Sequence, residues 1–272
     1  MNYAKLRTSY NKNGNDNIPL YGLDLSYANG ANYPYGNNVG LTVGNTLPDA
    51  NLKPEFVTAT EVGAELSMFN NRVNLDVSWY KQNSIGQVLT VKIPNSTGFS
   101  NLLINVGQVD NWGYETDLKV QILRDTKVKW DFNIKYSYND NKVVDLYPGI
   151  TEFAYGGYSY ASSNVILGQR FPILKTNGYF YSTDGSGMRR VSPVTGYPVQ
   201  NTALTARGGT LPRDMVGLGS TISYKEFRLA FNFEYRGGNV MYSDLGRQMT
   251  FTGSGAWTSN RGDQIFPNSY YI

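Results

Sequence analysis

The chain has 272 residues, a formal net charge of +3, and neither cysteine nor histidine. Without cysteine there is no disulfide or zinc-thiolate site, and without histidine there is no Ser-His-Asp or Cys-His system and little scope for transition metals. The charges are spread along the chain, unlike the basic footprint of a nucleic-acid-binding protein. No apolar run approaches the roughly 18 residues of a membrane-spanning helix. We therefore predict a protein that is not an enzyme, uses no metal or cofactor and binds no nucleic acid.

The first predicted elements are an alternating segment at residues 3–10 and a hairpin at residues 61–69 and 72–80. Apolar and polar side chains alternate in each, which makes them amphipathic only as strands. An Asn-Asn dipeptide between the two hairpin strands tolerates the positive φ of a two-residue turn. This register opposes Glu65 to Asp76, which is unfavourable unless that face is wet, so we interpret the pair as a sign of a water-filled interior. The predicted apolar pairs are Met68 with Val73, Leu66 with Leu75, Ala64 with Val77 and Val62 with Trp79.

The longest alternation lies in residues 112–123 and 127–139, with three residues between them. A three-residue turn would pair Leu123 with Lys127 and bring the two apolar faces together. Opposite-charge pairs on the other face would contribute roughly 0.2 to 1 kcal/mol each and disfavour a one-residue slip. The predicted pairs are Ile122 with Val128, Val120 with Trp130, Leu118 with Phe132, Thr116 with Ile134, Tyr114 with Tyr136, Trp112 with Tyr138, Lys119 with Asp131 and Glu115 with Lys135.

The last predicted hairpin joins residues 216–224 and 227–235 through Lys225 and Glu226. A further strand is predicted near residues 178–183, and Asp184, which lacks the spaced acids of a calcium loop, is predicted to lie in a turn. The hairpin register pairs Tyr224 with Phe227, Ile222 with Leu229, Ser220 with Phe231, Leu218 with Phe233 and Val216 with Tyr235.

The lengths of the strands and of their connections favour a membrane barrel. The two longest strands exceed the nine to eleven or so residues that a tilted strand needs to cross a bilayer. Connections within hairpins are two or three residues, whereas residues 81–111 and 140–215 form long connections between hairpins. Short turns at one rim and long loops at the other are typical of outer-membrane barrels. Aromatic residues away from the tight turns fit an interfacial girdle: Trp79, Tyr80, Trp112, Tyr114, Tyr136, Tyr138, Phe233 and Tyr235.

The number of strands indicates a piece of a larger barrel. The three hairpins, the opening segment and the strand near residues 178–183 give about eight strands, and a barrel of eight is filled by its own side chains. The chain also begins without the basic start, apolar core and small-residue cleavage site of a secretory signal. We therefore expect residues 1–272 to be an internal piece of a larger all-β, antiparallel transmembrane barrel, with the signal peptide encoded elsewhere.

Seven short motifs follow one another over most of the chain: Asn-Leu-Lys-Pro-Glu at 51–55, Phe-Asn-Asn-Arg at 69–72, Ser-Thr-Gly-Phe at 96–99, Asn-Val-Gly at 105–107, Asn-Trp-Gly-Tyr-Glu at 111–115, Tyr-Arg-Gly-Gly at 235–238 and Phe-Pro-Asn-Ser at 266–269. In this order they resemble the barrel half of SusC/RagA-type TonB-linked outer-membrane transporters. The resemblance implies a 22-stranded barrel with an N-terminal plug in the outer membrane of a Gram-negative bacterium. It also implies TonB as the energy source, a SusD-like surface lipoprotein as a lid, outer-membrane lipid as surroundings, and oligosaccharides or, in some members, peptides as solutes. The plug and the terminal strands of such transporters have no counterpart in residues 1–272, so the resemblance implies that these residues are only part of the barrel.

Two groups of residues are candidates for contact with a solute. Aromatic side chains in the predicted loops could stack on sugar rings, with loop packing or contact with a partner lid as the alternative; they are Tyr155, Tyr158, Tyr160 and Trp257. Charged side chains that face the lumen in the predicted registers form the second group, with cross-strand pairing as the alternative; they are Glu115, Asp117, Arg228 and Glu234.

The sequence leaves three functions open. An active importer of glycans or peptides is the first, a passive porin or surface receptor is the second, and a soluble all-β carbohydrate-binding module is the third. An upstream plug and a neighbouring SusD-like lipoprotein would favour the importer, and partition into detergent would exclude the soluble module.

Overall fold

The computed structural model describes residues 1–260 and 270–271, apart from residues 17, 19 and 184. The turn predicted at Asp184 and the motif at residues 266–269 therefore lie outside the described residues. Within the described part, no helix is long and apolar enough to cross a bilayer. The helices are α1 (Asp244–Thr252) and two 3-10 turns, Asn95–Thr97 and Ala256–Thr258. The strands are β1 (Tyr3–Asn15), β2 (Tyr27–Asn29), β3 (Leu41–Val43), β4 (Thr46–Pro48), β5 (Glu55–Met68), β6 (Val73–Ile85), β7 (Val88–Lys92), β8 (Asn101–Asn105), β9 (Gly107–Leu123), β10 (Val128–Leu146), β11 (Glu152–Tyr158), β12 (Ala161–Ile166), β13 (Ile173–Tyr179), β14 (Arg189–Arg190), β15 (Gln200–Gly209), β16 (Asp214–Tyr224), β17 (Phe227–Gly237) and β18 (Tyr270–Tyr271).

Seven long antiparallel strands form the main sheet, in the order β1-β5-β6-β9-β10-β16-β17. They contain between 11 and 19 residues. Residues 69–72, 124–127 and 225–226 connect neighbouring strands at one end, which we call the turn end. The longer connections carry the smaller strands at the other end, the loop end. The all-β, antiparallel barrel architecture is confirmed, and β1 and β17 are the edges of the sheet within the described residues.

The strand predicted at residues 178–183 is not a member of the main sheet. The overlapping strand is β13, which pairs with β12 and β15 in a four-stranded sheet at the loop end. It has only seven residues, fewer than the nine or so that a tilted strand needs to cross a bilayer. The main sheet thus has seven strands where the sequence predicted about eight.

The main sheet has one apolar and one polar face because its strands alternate in phase. The apolar face is not covered by other parts of the described chain: Leu6 is 85% exposed and Phe233 is 65% exposed. An uncovered apolar surface of this size indicates contact with a partner or a membrane. One row of paired residues crosses all seven strands on this face: Ala4, Leu66, Leu75, Leu118, Ile134, Leu218 and Phe233.

The registers predicted for the first and last hairpins are confirmed. Met68 pairs with Val73 across the first turn, and Glu65 opposes Asp76. Asn70 and Asn71 have φ values of 54° and 64°, as the turn type requires. Every predicted pair from Tyr224–Phe227 to Val216–Tyr235 is present in the last hairpin.

The register predicted for the middle hairpin is wrong by two residues. Leu118 pairs with Ile134 rather than Phe132, and Lys119 opposes Asn133 rather than Asp131. The connection between β9 and β10 is one residue longer than predicted, and a bulge follows it between Trp130 and Asp131. This connection also contacts the neighbouring turn at residues 69–72. Between the two turns, the Arg124 guanidinium donates to the Asn70 carbonyl oxygen over 2.7 Å, and Arg72 forms an ion pair with Asp125 over 2.9 Å. A shift of two leaves each side chain on its predicted face.

Aromatic side chains form a row on the apolar face near the loop end. Trp79 pairs with Tyr114, which pairs with Tyr138, and the two tyrosine rings stack with centroids 5.3 Å apart. Tyr80 does not belong to this row. Its position next to Trp79 puts it on the polar face, where it lines a cavity with Glu61. Its assignment to the girdle is corrected by strand alternation alone.

A small hydrophobic core fixes the loop end to the main sheet. It joins the loop-end parts of β9 and β10 to β7, β8 and β12, and Val143 at its centre is fully buried. Beyond the part of β10 that pairs with β16, the Val143 N–H donates to the Gln169 carbonyl oxygen and the Val143 carbonyl oxygen accepts from the Gly168 N–H. The core residues are Val91, Ile104, Val106, Val109, Val143, Leu146 and Val165.

Gly113 provides a test of the close packing on the polar face. A Cβ there would press on the Tyr138 carbonyl oxygen and lie 2.6 Å from the Tyr80 hydroxyl oxygen. We expect Gly113→Ala to lower the free energy of unfolding by about 1 to 3 kcal/mol because the strand is overpacked. The measurement is the urea midpoint of the complete protein in detergent micelles.

Gly217→Ala is the matched control, since the nearest atom to its added Cβ would be the Lys135 Cβ at 3.6 Å. Its midpoint should stay close to that of the parent protein. Equal losses in the two variants would contradict the described packing.

Candidate functional site

The polar face carries a row of ionic side chains across the sheet. It lies one position from the apolar row, so each strand contributes to both through adjacent residues. Three successive strands, β5, β6 and β9, contribute carboxylates that oppose one another directly. The row consists of Lys5, Glu65, Asp76, Asp117, Lys135, Gly217 and Glu234.

Arg7 holds the opposed carboxylates together. Its Nη1 donates to Glu65 over 3.0 Å, and its Nη2 donates to Asp76 over 2.7 Å. Its Nε lies 3.7 Å from Glu61. The pairing of Glu65 with Asp76 was interpreted from sequence as a sign of water. The structure supplies a more direct reason, because a cation from the neighbouring strand offsets the repulsion.

Asp117 is the centre of the second ionic group. Its Oδ2 lies 3.6 Å from the Lys135 ammonium and 3.5 Å from the Lys119 ammonium. These contacts replace the predicted pairs of Lys135 with Glu115 and of Lys119 with Asp131. The other oxygen, Oδ1, is buried and has no hydrogen-bond partner among the described residues. It is therefore a buried acceptor on the polar face whose hydrogen-bonding capacity is unused among the described residues.

Three of the four predicted lumen-facing residues line one cavity. Glu115, Asp117 and Glu234 surround about 480 Å³ on the polar face, together with Arg7 and Arg236 among others. Glu234 forms an ion pair with Arg236.

Arg228 does not line this cavity. It is exposed on the same face at the turn end, where it pairs with Ser223. The contact of any of the four residues with a solute stays a prediction.

Two of the four predicted aromatic residues come together at the loop end. Tyr158 and Tyr160 stack nearly in parallel, with ring centroids 5.5 Å apart and an interplanar angle of 6°. Tyr155 packs instead on Phe171, with centroids 5.5 Å apart. Trp257 is exposed and donates its indole N–H to Thr250.

Residues that the sequence analysis missed complete the tyrosine platform. The Tyr160 hydroxyl donates to Asp244 over 3.1 Å and accepts from Arg247 over 2.9 Å. The Arg247 guanidinium lies 4.1 Å from the centroid of the Tyr160 ring, and Arg247 also bonds to Asp244 over 2.9 Å. Tyr242 adds a tilted ring at 5.9 Å. We call these residues, with Tyr158, the tyrosine cluster.

The start of α1 positions the acidic and basic members of the tyrosine cluster. The Ser243 side chain accepts from the Gly246 N–H and caps the helix. Asp244 then lies in the first turn, where a carboxylate is favoured, and Arg247 lies three residues later on the same side. Ser243 is a residue type that favours a helix start, so it is the sequence signal from which this helix could have been predicted.

Ionisation in the tyrosine cluster is fixed near neutral pH. Desolvation and the hydrogen bond to Asp244 raise the pKa of Tyr160 above its ordinary value of 10.0, with Arg247 acting in the opposite direction. The hydrogen bond from Arg247 lowers the pKa of Asp244 below 3.8. The Tyr160 hydroxyl therefore stays protonated while the Asp244 carboxylate stays charged.

The long antiparallel strands and the two-faced sheet define a segment of a β-barrel, and comparison with known proteins gives the family. The sequence matches the family described as TonB dependent receptor-like, beta-barrel over residues 2–271, so the chain belongs to that family. It is 28% identical to TonB-dependent receptor P26 of Formosa agariphila, over 88% of this chain and 26% of that protein. It is 24% identical to TonB-dependent receptor SusC of Bacteroides thetaiotaomicron, over 94% of this chain and 27% of that protein.

A solved structure of similar fold is that of the RagAB peptide transporter. The TM-score is 0.69 at 20% identity, over 86% of this chain and 26% of that chain. The chain thus spans about a quarter of the length of these relatives. The resemblance to SusC/RagA-type barrels inferred from short motifs is confirmed.

Arg7 should stabilise the sheet more than its neighbour Lys5. Arg7→Met leaves Glu65 and Asp76 opposed without their shared cation, so we expect a clear decrease in the urea midpoint of the complete protein. Adding Asp76→Asn should restore part of the loss because one of the repelling charges is then gone.

Lys5→Met is the control, since Lys5 is half exposed and its ion pair within the described residues is a 3.4 Å contact with Glu65. Its midpoint should change little. A loss as large as that of Arg7→Met would show that Arg7 has no special role.

Proposed function

We propose that residues 1–272 form one segment of the barrel domain of a TonB-dependent importer in the outer membrane of a Gram-negative bacterium. The complete protein would import oligosaccharides or other glycans, or peptides, with a SusD-like surface lipoprotein as its lid. Energy would come from a TonB complex acting on a plug that lies outside this chain. Membership of the receptor family and the likeness to SusC and RagAB support this function.

The observation that carries the proposal is the division of the main sheet into two faces. The apolar row from Ala4 to Phe233 would face hydrocarbon, whereas the ionic row beside it would face an aqueous lumen. The row of Trp79, Tyr114 and Tyr138 would lie at the outer interface. This orientation makes the turn end periplasmic and the loop end extracellular.

The tyrosine cluster is the best candidate for the first contact with a solute. Tyr158 is 63% exposed at the loop end, and its stacked partner Tyr160 is held by Asp244 and Arg247. A preformed aromatic face with charged neighbours suits a sugar ring that has both apolar and hydroxyl surfaces. Peptides are the second solute class, since the RagAB structure is described as a peptide transporter.

Leu118 and Lys119 test the orientation of the main sheet. Leu118→Arg should cost roughly 2 to 4 kcal/mol if the side chain faces lipid at mid-depth, because a charge would enter hydrocarbon. Lys119→Leu should be tolerated, since its side chain is exposed on the polar face. The measurement is the unfolding free energy of the complete protein in lipid vesicles, and equal effects of the two changes would contradict the orientation.

Tyr158 and Tyr160 test the solute platform. Tyr158→Ala removes a stacking surface and should raise the dissociation constant for an imported oligosaccharide roughly fivefold. Tyr160→Phe keeps the ring but releases Asp244 and Arg247, so it should have a smaller effect. Calorimetry on the complete protein gives both values.

Tyr27→Ala is the control, because Tyr27 is an exposed tyrosine of β2 at the same end of the sheet. Its affinity should match that of the parent protein. If Tyr27→Ala and Tyr158→Ala weakened binding equally, the tyrosine cluster would not be the binding platform.

Growth experiments test import itself. A strain that lacks the complete gene should lose growth on the oligosaccharides or peptides that it imports, and a strain without TonB should show the same defect. Uptake that continues without TonB would favour a passive porin. Recovery of the protein in the soluble fraction would favour a carbohydrate-binding module.

A further inference from the structure

A second cavity, of about 620 Å³, lies at the loop end of β10 and is distinct from the cavity on the polar face. Four cationic side chains line it, two from strands β10 and β15 and two from connections. Its only acidic lining residue within the described chain is Asp140. We call it the basic pocket, defined by Lys142, Arg170, Arg207 and Arg213.

The basic pocket concentrates positive charge. Four cations against one carboxylate give a local formal charge of +3, as large as that of the entire chain. Asp140 is committed to Arg170, whose Nε lies 2.6 Å from its Oδ1. No second carboxylate lines the pocket to pair with Lys142, Arg207 or Arg213.

The donors of the basic pocket are incompletely used. The Nε of Arg213 is buried and has no hydrogen-bond partner among the described residues. Arg207 donates to Thr176 and Asn177, which leaves several of its five N–H groups available. Lys142 is exposed. Guanidinium groups with free donors favour an oxyanion that can accept several hydrogen bonds, such as a phosphate.

The pocket lies on the membrane-facing side, just beyond the aromatic row. Asp140 and Lys142 follow Tyr138 at two-residue intervals and so share its face. The Tyr138 hydroxyl contacts Asp140 over 3.3 Å, and two residues of strand span about 7 Å. Trp112 pairs with Asp140 and with Lys81, so a further cation lies at this level. This is the depth at which lipid headgroups meet the barrel.

We propose that the basic pocket binds the phosphate of an outer-leaflet lipid headgroup. Arg207 and Arg213 contribute the hydrogen bonds, and Lys142 contributes charge. The apolar row below them contacts the acyl chains of the same lipid. The site rests on the membrane placement proposed above but not on import.

The test is retention of phosphorylated lipid A by the complete protein, extracted from outer membranes and washed in detergent. Lys142→Gln combined with Arg213→Gln should lower the amount of lipid A retained by about tenfold, since two cations near an anionic headgroup are lost. Lipid A stripped of phosphate should bind weakly and equally to both proteins. Native mass spectrometry measures the retained lipid.

Lys127→Gln combined with Lys129→Gln is the matched control, because it removes two charges at the turn end. It should retain lipid A like the parent. The single change Lys142→Gln, at an exposed side chain, gives a smaller decrease if the double variant does not fold. Heat-dependent electrophoretic mobility reports folding in each case.

Equal retention by the parent and the folded variants would overturn the proposal. Binding of inorganic phosphate as tightly as lipid A would also overturn it, since the site would then recognise the free ion. If the parent protein were absent from the outer-membrane fraction, the membrane placement itself would be wrong. Loss of lipid binding with unchanged import would support the proposal and leave the importer function intact.

Discussion

The structure depends on one constraint, that seven strands alternate in phase. A strand satisfies its backbone hydrogen bonds with its neighbours, which is the only way an extended chain can lie in hydrocarbon. The pleat then sends adjacent side chains to opposite faces, so an apolar row and an ionic row run side by side across the sheet. A shift of one residue between any two strands would place charges in the apolar row. A shift of two, as in the middle hairpin, costs nothing in this respect.

The polar face adds a second requirement, because its carboxylates are close together. Glu65, Asp76 and Asp117 lie on three neighbouring strands and oppose one another in pairs. Arg7 from β1 and Lys135 from β10 approach this group from opposite sides. Charge therefore joins neighbouring strands across the polar face. The small core around Val143 then fixes the loop-end sheets to this frame.

The sequence predicted those features that are set by neighbours along the chain. Both hairpins with a two-residue turn were placed correctly, because the turn fixes every pair that follows. The middle register failed because its turn bonds to Asn70 and Arg72 of another hairpin, which strand periodicity does not reveal. Arg7 was missed for the same reason, since its partners are more than fifty residues away. The face on which each side chain of the middle hairpin lies was still predicted correctly, because alternation along a strand depends only on neighbouring residues.

The tyrosine cluster joins residues of the loop end that lie far apart in the sequence. Tyr158 and Tyr160 were candidates from sequence, but the residues that bond to the Tyr160 hydroxyl lie more than eighty residues later, in α1. The charge of Asp244 contributes stability above its ordinary pKa of 3.8, and this is lost as the pH falls through its lower folded value. Because the pKa of Tyr160 is raised, its contribution is present below 10.0 and lost only above that. Between these limits Tyr160 stays neutral and Asp244 stays charged, so the hydrogen bond from Tyr160 to Asp244 and the ion pair of Asp244 with Arg247 keep the same ionisation throughout the neutral range.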